Sequence, residues 1–246
     1  MRHLLLLDSG SGALAVLRQL LPLRTPRITV LADLAGQPYG TREPAFVRQR
    51  IRRLLPILHA QKADLVIIAC NTTWTVARDL LQSLPVQAVA EVGLRVLKEA
   101  PFQRILVLAT PLTVRSGWYA RIPGKQIRQL PCDNWVEVAE KRIQDALTTG
   151  DSLQPSLSRV AEEARHAEAV FLGCTHYPLL SPLLSTLRLP LLDPAVRLRT
   201  LLPSFLRGPG APRVHLLLTR VSSSFLRRAQ ALLGLPVTAE EVPLAP

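Results

Sequence analysis

Cys70 and Cys174 each follow a short apolar run and precede hydroxyl and amide side chains, in LVIIACNT over residues 65–72 and VFLGCTHYP over residues 170–178. Aligned on the two sulfurs, Ala63–Cys70 falls on Ala167–Cys174 without a gap. A thiolate can remove a proton from carbon and a thiol can return one. Two thiols on opposite faces of one small molecule therefore suit inversion at a stereocentre, with their roles exchanged in the reverse direction. The Cα–H of an amino acid is a very weak acid, so the developing carbanion needs fixed donors around it. The loops bearing Ser9, Asn71, Thr72 and Thr175 offer such donors. A free cysteine is mostly protonated at neutral pH, and a neighbouring base or cation changes that. Asp8 and His176 are the candidates, the carboxylate to receive or orient a proton and the imidazolium to favour a thiolate. Each residue alone has a plainer reading. A strand-end cysteine can simply pack, Asp8 can cap the next helix, and His176 can be a satisfied core histidine. The equivalent placement of two cysteines favours chemistry. Cys132 lacks that setting and reads as structural, and Asp33 and Asp193 end apolar runs as caps or ligands.

Such thiols need a framework that carries them to one place. Leu4–Leu7 reads as a buried strand ending in Asp8-Ser9-Gly10-Ser11-Gly12, a glycine turn opening a helix over Ala13–Leu21. Small residues there allow close approach of backbone to a ligand. Strands are expected at Ile28–Leu31, Leu65–Ala69 and Val86–Ala90, with helices over Glu43–Ala60, kinked or interrupted at Pro56, and Trp74–Leu84. A second unit begins near Gly93, with a short helix Leu94–Ala100 and strands at Ile105–Ala109, Gln126–Leu130 and Ala169–Leu172. Helical patterns cover Asn134–Leu147, Gln154–Ala164 and Ser181–Leu187, and RGPGAP at 207–212 reads as a linker. Val214–Leu218 is a strand, Ser223–Leu233 a final helix, and the remaining tail peripheral. The alternation predicts an α/β fold of two similar open units with mostly parallel sheets, facing across a cleft. Ligands of such sheets sit beyond the carboxyl ends of the strands, where both cysteines lie.

Composition narrows the class. At 246 residues and 48% hydrophobic content, the chain can build a substantial core. It has no run of eighteen apolar residues to cross a membrane, and its four N-terminal leucines are too few for a signal peptide. Three sparse cysteines form no disulfide framework or CxxC metal pattern, and a cytoplasmic setting is expected. The net charge of +12 would attract anionic partners, but the arginines are scattered. The densest group, Arg48, Arg50, Arg52 and Arg53, has no interleaved aromatics, so nucleic acid is not the expected partner.

Taken together, the motifs resemble those of glutamate racemases in the aspartate/glutamate racemase superfamily, over nearly the whole chain. The matching residues are Asp8-Ser9-Gly10, Asp33, Pro38-Tyr39-Gly40, Cys70-Asn71-Thr72, Ala109-Thr110, Thr113, Arg115-Ser116-Gly117, Tyr119 and Leu172–Leu180. The resemblance implies two α/β domains, 1–92 plus 206–246 and 93–205, with the site between them. It also implies a cofactor-independent reaction, many dimeric members, and D-glutamate supplied for peptidoglycan. By the same carry-over, Cys70 is the base toward D-glutamate and Cys174 the base toward L-glutamate. Asp8 and His176 are catalytic too, and Ser9, Pro38, Tyr39, Gly40, Asn71, Thr72, Thr113, Thr175 and His176 surround the substrate.

The sequence departs from the family pattern at Ser11-Gly12-Ala13, Thr73-Trp74 and Thr219-Arg220, and Gly93 stands where the family has a glutamate. Trp74 is expected to crowd the cleft or redirect a helix. Glu91, two positions before Gly93 on an extended strand, is expected to replace the missing acid; otherwise His176 loses its acidic support. These departures leave two other readings open: a racemase of another acidic or modified amino acid, or a non-catalytic basic binding protein.

Overall fold

The computed structural model describes residues 2–21, 27–144, 154–202 and 212–244. The chain alternates strands and helices. β1 (His3–Asp8), α1 (Gly12–Leu20), β2 (Arg27–Ala32), α2 (Pro44–Ala60), β3 (Leu65–Ile68), α3 (Asn71–Ala77), β4 (Val86–Ala88) and α4 (Val89–Glu99) come first. β5 (Arg104–Ala109), α5 (Pro111–Arg115), β6 (Gln126–Pro131), α6 (Trp135–Gln144), α7 (Gln154–Ala164), β7 (Ala169–Leu172), α8 (Ser181–Leu184), β8 (Leu191–Leu192) and α9 (Pro194–Leu201) follow. β9 (Arg213–Leu218), α10 (Ser223–Leu233) and β10 (Val237–Glu241) close the described chain.

The strands form a six-stranded sheet, β10-β9-β2-β1-β3-β4, and a four-stranded sheet, β6-β5-β7-β8. Every pairing in both is parallel. This is the expected α/β class. Parallel strands buried on both faces need continuous apolar runs, and Leu4–Leu7 and Ala169–Leu172 are buried throughout. The chain steps from β1 to β2 on one side and comes back to β3 on the other. In the second sheet β5 is flanked in the same way by β6 and β7. Each reversal opens a crevice at the carboxyl ends of the two central strands, where ligands of open α/β sheets bind. Leu7 pairs with Ile68 and Leu108 with Leu172, so Cys70 and Cys174 each lie two residues beyond a paired position at such a crevice.

One core cluster joins the two sheets, bringing Leu5, Leu7, Val66 and Ile68 together with Ile105, Val107 and Phe171. The other two clusters fill the outer face of each sheet.

Several elements differ from the sequence reading. α2 runs unbroken through Pro56, which lies on the exposed side of the helix, where water can take the carbonyl that proline leaves unpaired. β4 stops at Ala88, and α4 already covers Glu91 and Gly93, so neither residue lies on or just beyond a strand. A Cβ on Gly93 would come 2.8 Å from Tyr119 Oη and 2.9 Å from Phe171 Cζ, so that helix packs against the second sheet only with glycine there. Asp193 caps α9, its Oδ1 accepting the Ala195 N–H at 2.8 Å. The tail is a sheet edge: β10 pairs along β9 from Val237 to Glu241. The linker expected at 207–212 lies outside the described residues except for Pro212.

Candidate active site

The loops after β1 and β3 in the larger sheet meet those after β5 and β7 in the smaller. With the loop after β2 and the start of α6, they enclose a tight cavity of about 10 Å³ lined by Asp8, Ser9, Pro38, Tyr39, Gly40, Cys70, Asn71, Thr72, Thr110, Val136, Cys174, Thr175 and His176. Both thiols are thus walls of one space, each 7% exposed. Of the residues singled out from the sequence, all but Thr113 line it. Thr113 sits behind Thr110, and their hydroxyls form a triangle with Thr72 at 2.9–3.1 Å. Thr110, matched only as part of the family pattern, and Val136, not singled out at all, are wall residues that the sequence did not place around the substrate.

Cys70 is also the N-cap of α3, its Sγ accepting the Thr73 N–H at 3.5 Å. Burial first, and then the nearby Asp8 charge, push this thiol up to about 12 against the pull of that N–H, which makes Cys70 a proton donor. Burial also raises the Asp8 carboxyl above its usual range, opposed by His176, the Gly10 N–H and the Thr175 hydroxyl. Asp8 Oδ1 accepts from Gly10 N at 3.0 Å and Oδ2 from Thr175 Oγ1 at 3.1 Å, the latter reaching across from the opposite sheet. A carboxyl so raised beside a thiol is suited to exchanging a proton with it.

On the other side, His176 Nδ1 lies 3.9 Å from Cys174 Sγ, and its Nε2 lies 2.9 Å from Glu140 Oε1. Burial disfavours the imidazolium, but Cys174 and Glu140 outweigh it and hold His176 well above its ordinary value. Burial likewise opposes the Glu140 carboxylate, yet His176, Arg228 and Ser11 hold it down at about 2. The Gly12 N–H is 3.2 Å from the same Nε2, but with an ionised carboxylate beside it Nε2 is the donor. An imidazolium here points one N–H at Cys174 and supports a thiolate as it forms.

Glu140 therefore supplies the acid that Glu91 was expected to provide. It comes from α6, on the same helical stripe as Val136, a cavity wall residue. Glu91 instead lies in the first turn of α4. Trp74 does not crowd the cleft: it lies one turn into α3, packed in the core shared by the two sheets. The loop after β2 is anchored from below. Asp33 is fully buried and takes two hydrogen bonds from Arg50, one from Tyr39 Oη, and one from Thr219 Oγ1 at 2.7 Å. These contacts hold its carboxyl below the usual range despite burial and set Pro38-Tyr39-Gly40 against the cavity.

Asn71 Oδ1 accepts from Tyr119 Oη at 2.5 Å. Its Nδ2 is buried without a protein partner among the described residues, a donor available to a bound anion. Among those residues no group of three His, Cys, Asp or Glu could hold a metal ion, and no helix is long and apolar enough to cross a membrane.

Two parallel sheets that face each other, each ending a central strand in a thiol on a common cavity, make an α/β protein that can present two thiols to one small molecule. The sequence profile described as Asp/Glu/Hydantoin racemase matches residues 15–198, and the chain belongs to this family, within its glutamate racemases. It is 37% identical over 221 residues to a glutamate racemase of Synechococcus sp. strain CC9605, covering 82% of this chain and 79% of that protein. Among solved structures, it is similar to the glutamate racemase of Campylobacter jejuni subsp. jejuni (TM-score 0.84, 27% identity, 95% and 98% of the two chains covered). It is also similar to that of Francisella tularensis subsp. tularensis SCHU S4 in complex with D-glutamate (TM-score 0.81, 25% identity, 99% and 98% covered).

Proposed function

We propose that this enzyme interconverts L- and D-glutamate by a two-base mechanism without a cofactor, supplying D-glutamate for peptidoglycan. The observation that carries this reading is the single cavity walled by Cys70 and Cys174. The complex of the Francisella protein with D-glutamate supports the choice of substrate.

One thiolate takes the Cα proton and the opposite thiol gives one to the other face. Cys70 serves as the base toward D-glutamate and Cys174 as the base toward L-glutamate. Cys70 is held protonated and Cys174 faces an imidazolium, which is the arrangement for taking the Cα proton of L-glutamate. Asp8 exchanges a proton with Cys70, and His176, charged through Glu140, does the corresponding work for Cys174. Ser9, Thr175, Asn71 and Thr72 hold the substrate's charged groups, and the loop Pro38-Tyr39-Gly40 closes over it. Thr113 acts through Thr72 and Thr110.

The two domains are 1–92 with 206–246, and 93–205. The pairing of β9 with β2, and of β10 with β9, supports the return of the C-terminal segment to the first. A homodimer fits the family, and a cytoplasmic setting suits three unpaired thiols.

The test is a circular-dichroism turnover assay on L- and D-glutamate and both enantiomers of aspartate, with no cofactor added. Both glutamate signals should decay to zero, with aspartate far slower. Inversion of aspartate but not glutamate, or no inversion of either, would overturn the assignment.

A further inference from the structure

Arg228 is an arginine that the reaction, as described, leaves unused. It lies on α10, the C-terminal helix packed on the larger sheet, and its side chain is only 8% exposed, whereas its neighbour Arg227 is exposed. A buried guanidinium is costly unless it is paired. Its Nη2 sits 3.1 Å from Glu140 Oε2, its Nη1 donates to the Glu140 backbone oxygen at 3.4 Å, and its Cζ lies 5.7 Å from the Phe225 ring centre.

Glu140 belongs to α6, on the smaller sheet, so this ion pair crosses the cleft. The two contacts of Glu140 with Ser11 cross it as well. Ser11 N donates to Oε1 at 2.8 Å and Ser11 Oγ to Oε2 at 2.7 Å. Ser11 stands in the loop where the sequence departs from the family pattern. With His176 Nε2 on Oε1, the carboxylate has four donors, the full complement it can accept. Three of the four come from the larger sheet's side. The glycines of that loop are pressed against the same cluster: a Cβ on Gly10 would come 2.7 Å from Glu140 Oε1, and one on Gly12 would come 3.0 Å from His176 Cε1.

We propose that Arg228 is a positioning residue that, with Ser11, holds Glu140 across the cleft, so that closing the cleft and aiming His176 at Cys174 are one event. With both thiols 7% exposed and little free space between them, the structure is the closed state. A substrate can enter only when the lobes part, and parting them breaks Arg228–Glu140 and both Ser11 contacts. Because the ion pair is charge-assisted and buried, its loss shifts the open–closed balance by about 10- to 100-fold.

The inference rests on the racemase reading for its catalytic consequence, but its central test does not. In the ligand-free protein, the rates at which iodoacetamide labels each cysteine can be followed by peptide mass spectrometry. Cys70 and Cys174 line the cleft, whereas Cys132 is buried in the outer core of the smaller sheet and reports unfolding. In R228M, labelling of Cys70 and Cys174 should accelerate about tenfold or more with Cys132 unchanged, and R228K, which keeps the charge, should restore much of the protection. In turnover, KM for glutamate should rise more than kcat falls. S11V, which loses one of the two Ser11 contacts, should move the same two cysteines in the same direction, and it serves if R228M does not fold. Equal acceleration at all three cysteines, or unchanged labelling in both variants, would overturn the proposal. A wild-type protein that shows protected cleft thiols but does not invert glutamate would instead sink the racemase reading and leave the latch standing.

Discussion

Replacing Glu140 by glutamine keeps the shape of the side chain and removes the charge on which the second thiol's partner depends. The size of the effect follows from the site. In the fold Glu140 titrates at about 2, where 4.5 is ordinary, because His176, Arg228 and Ser11 outweigh the cost of burying it. At about 1.4 kcal/mol per pH unit, that interval corresponds to about 3 kcal/mol of stability at neutral pH. A carboxylate whose value is depressed on folding contributes fully above its unfolded value and loses that contribution as pH falls through its folded value. The advantage of the native chain over E140Q should therefore be about 3 kcal/mol from pH 5 to neutrality and about half that near pH 3. Urea unfolding followed by far-UV circular dichroism at pH 7, 5, 4 and 3 measures it. His176 gives the opposite limb. Its raised value contributes stability below 6.5 that is lost as pH climbs through the folded value, and E140Q should flatten that alkaline decline. Turnover at neutral pH should fall about 100-fold, because a neutral imidazole no longer supports the Cys174 thiolate. A variant within about 0.5 kcal/mol of the native chain at every pH, turning over normally, would refute the reasoning that places a buried charge pair at the heart of the site.

Other substitutions probe other joints of the account. C70S and C174S should each abolish net inversion, and each should retain washout of the Cα proton from one glutamate enantiomer only, read by NMR in deuterium oxide; wild-type turnover in the double variant would be incompatible with thiol bases. G12A drives a Cβ into Thr175 Oγ1 and to 2.8 Å from Asp8 Oδ2, so it should cut kcat/KM about 100-fold in both directions and cost about 1–3 kcal/mol in urea unfolding; an active G12A of native stability would mean that the lobes need not close so tightly. G93A overpacks Tyr119 and Phe171 and should cost about 1–3 kcal/mol in urea unfolding. Because Tyr119 fixes the Asn71 amide, KM for glutamate should rise with it; a stable G93A with unchanged KM would show that the packing there has room.

Much of this was legible in the sequence because the signals are local. A parallel interior strand is a continuous apolar run, and the residue that ends it falls at the ligand-binding edge of the sheet, so Asp8, Cys70 and Cys174 could be placed from sequence alone. The residues that were missed act through distant partners. Glu140 lies on an amphipathic helix with Glu137 a turn earlier, and nothing in that periodicity separates the solvated acid from the one that meets His176. Arg228 reads as surface charge beside Arg227 until α10 is folded against α6. The apolar Val89-Ala90 continues the pattern of β4, yet the chain turns into α4 there, which moved Glu91 away from its expected place. In β10 exposed glutamates mask a strand whose pairing comes from β9.

The central claim is that two thiols work on opposite faces of one Cα, and early-time inversion of L-glutamate in deuterium oxide tests it most directly. The account predicts that the first D-glutamate formed carries deuterium at Cα while the remaining L-glutamate keeps its hydrogen. Early D-glutamate that retains the substrate's own hydrogen would mean that a single base moves the proton between faces, and would contradict it.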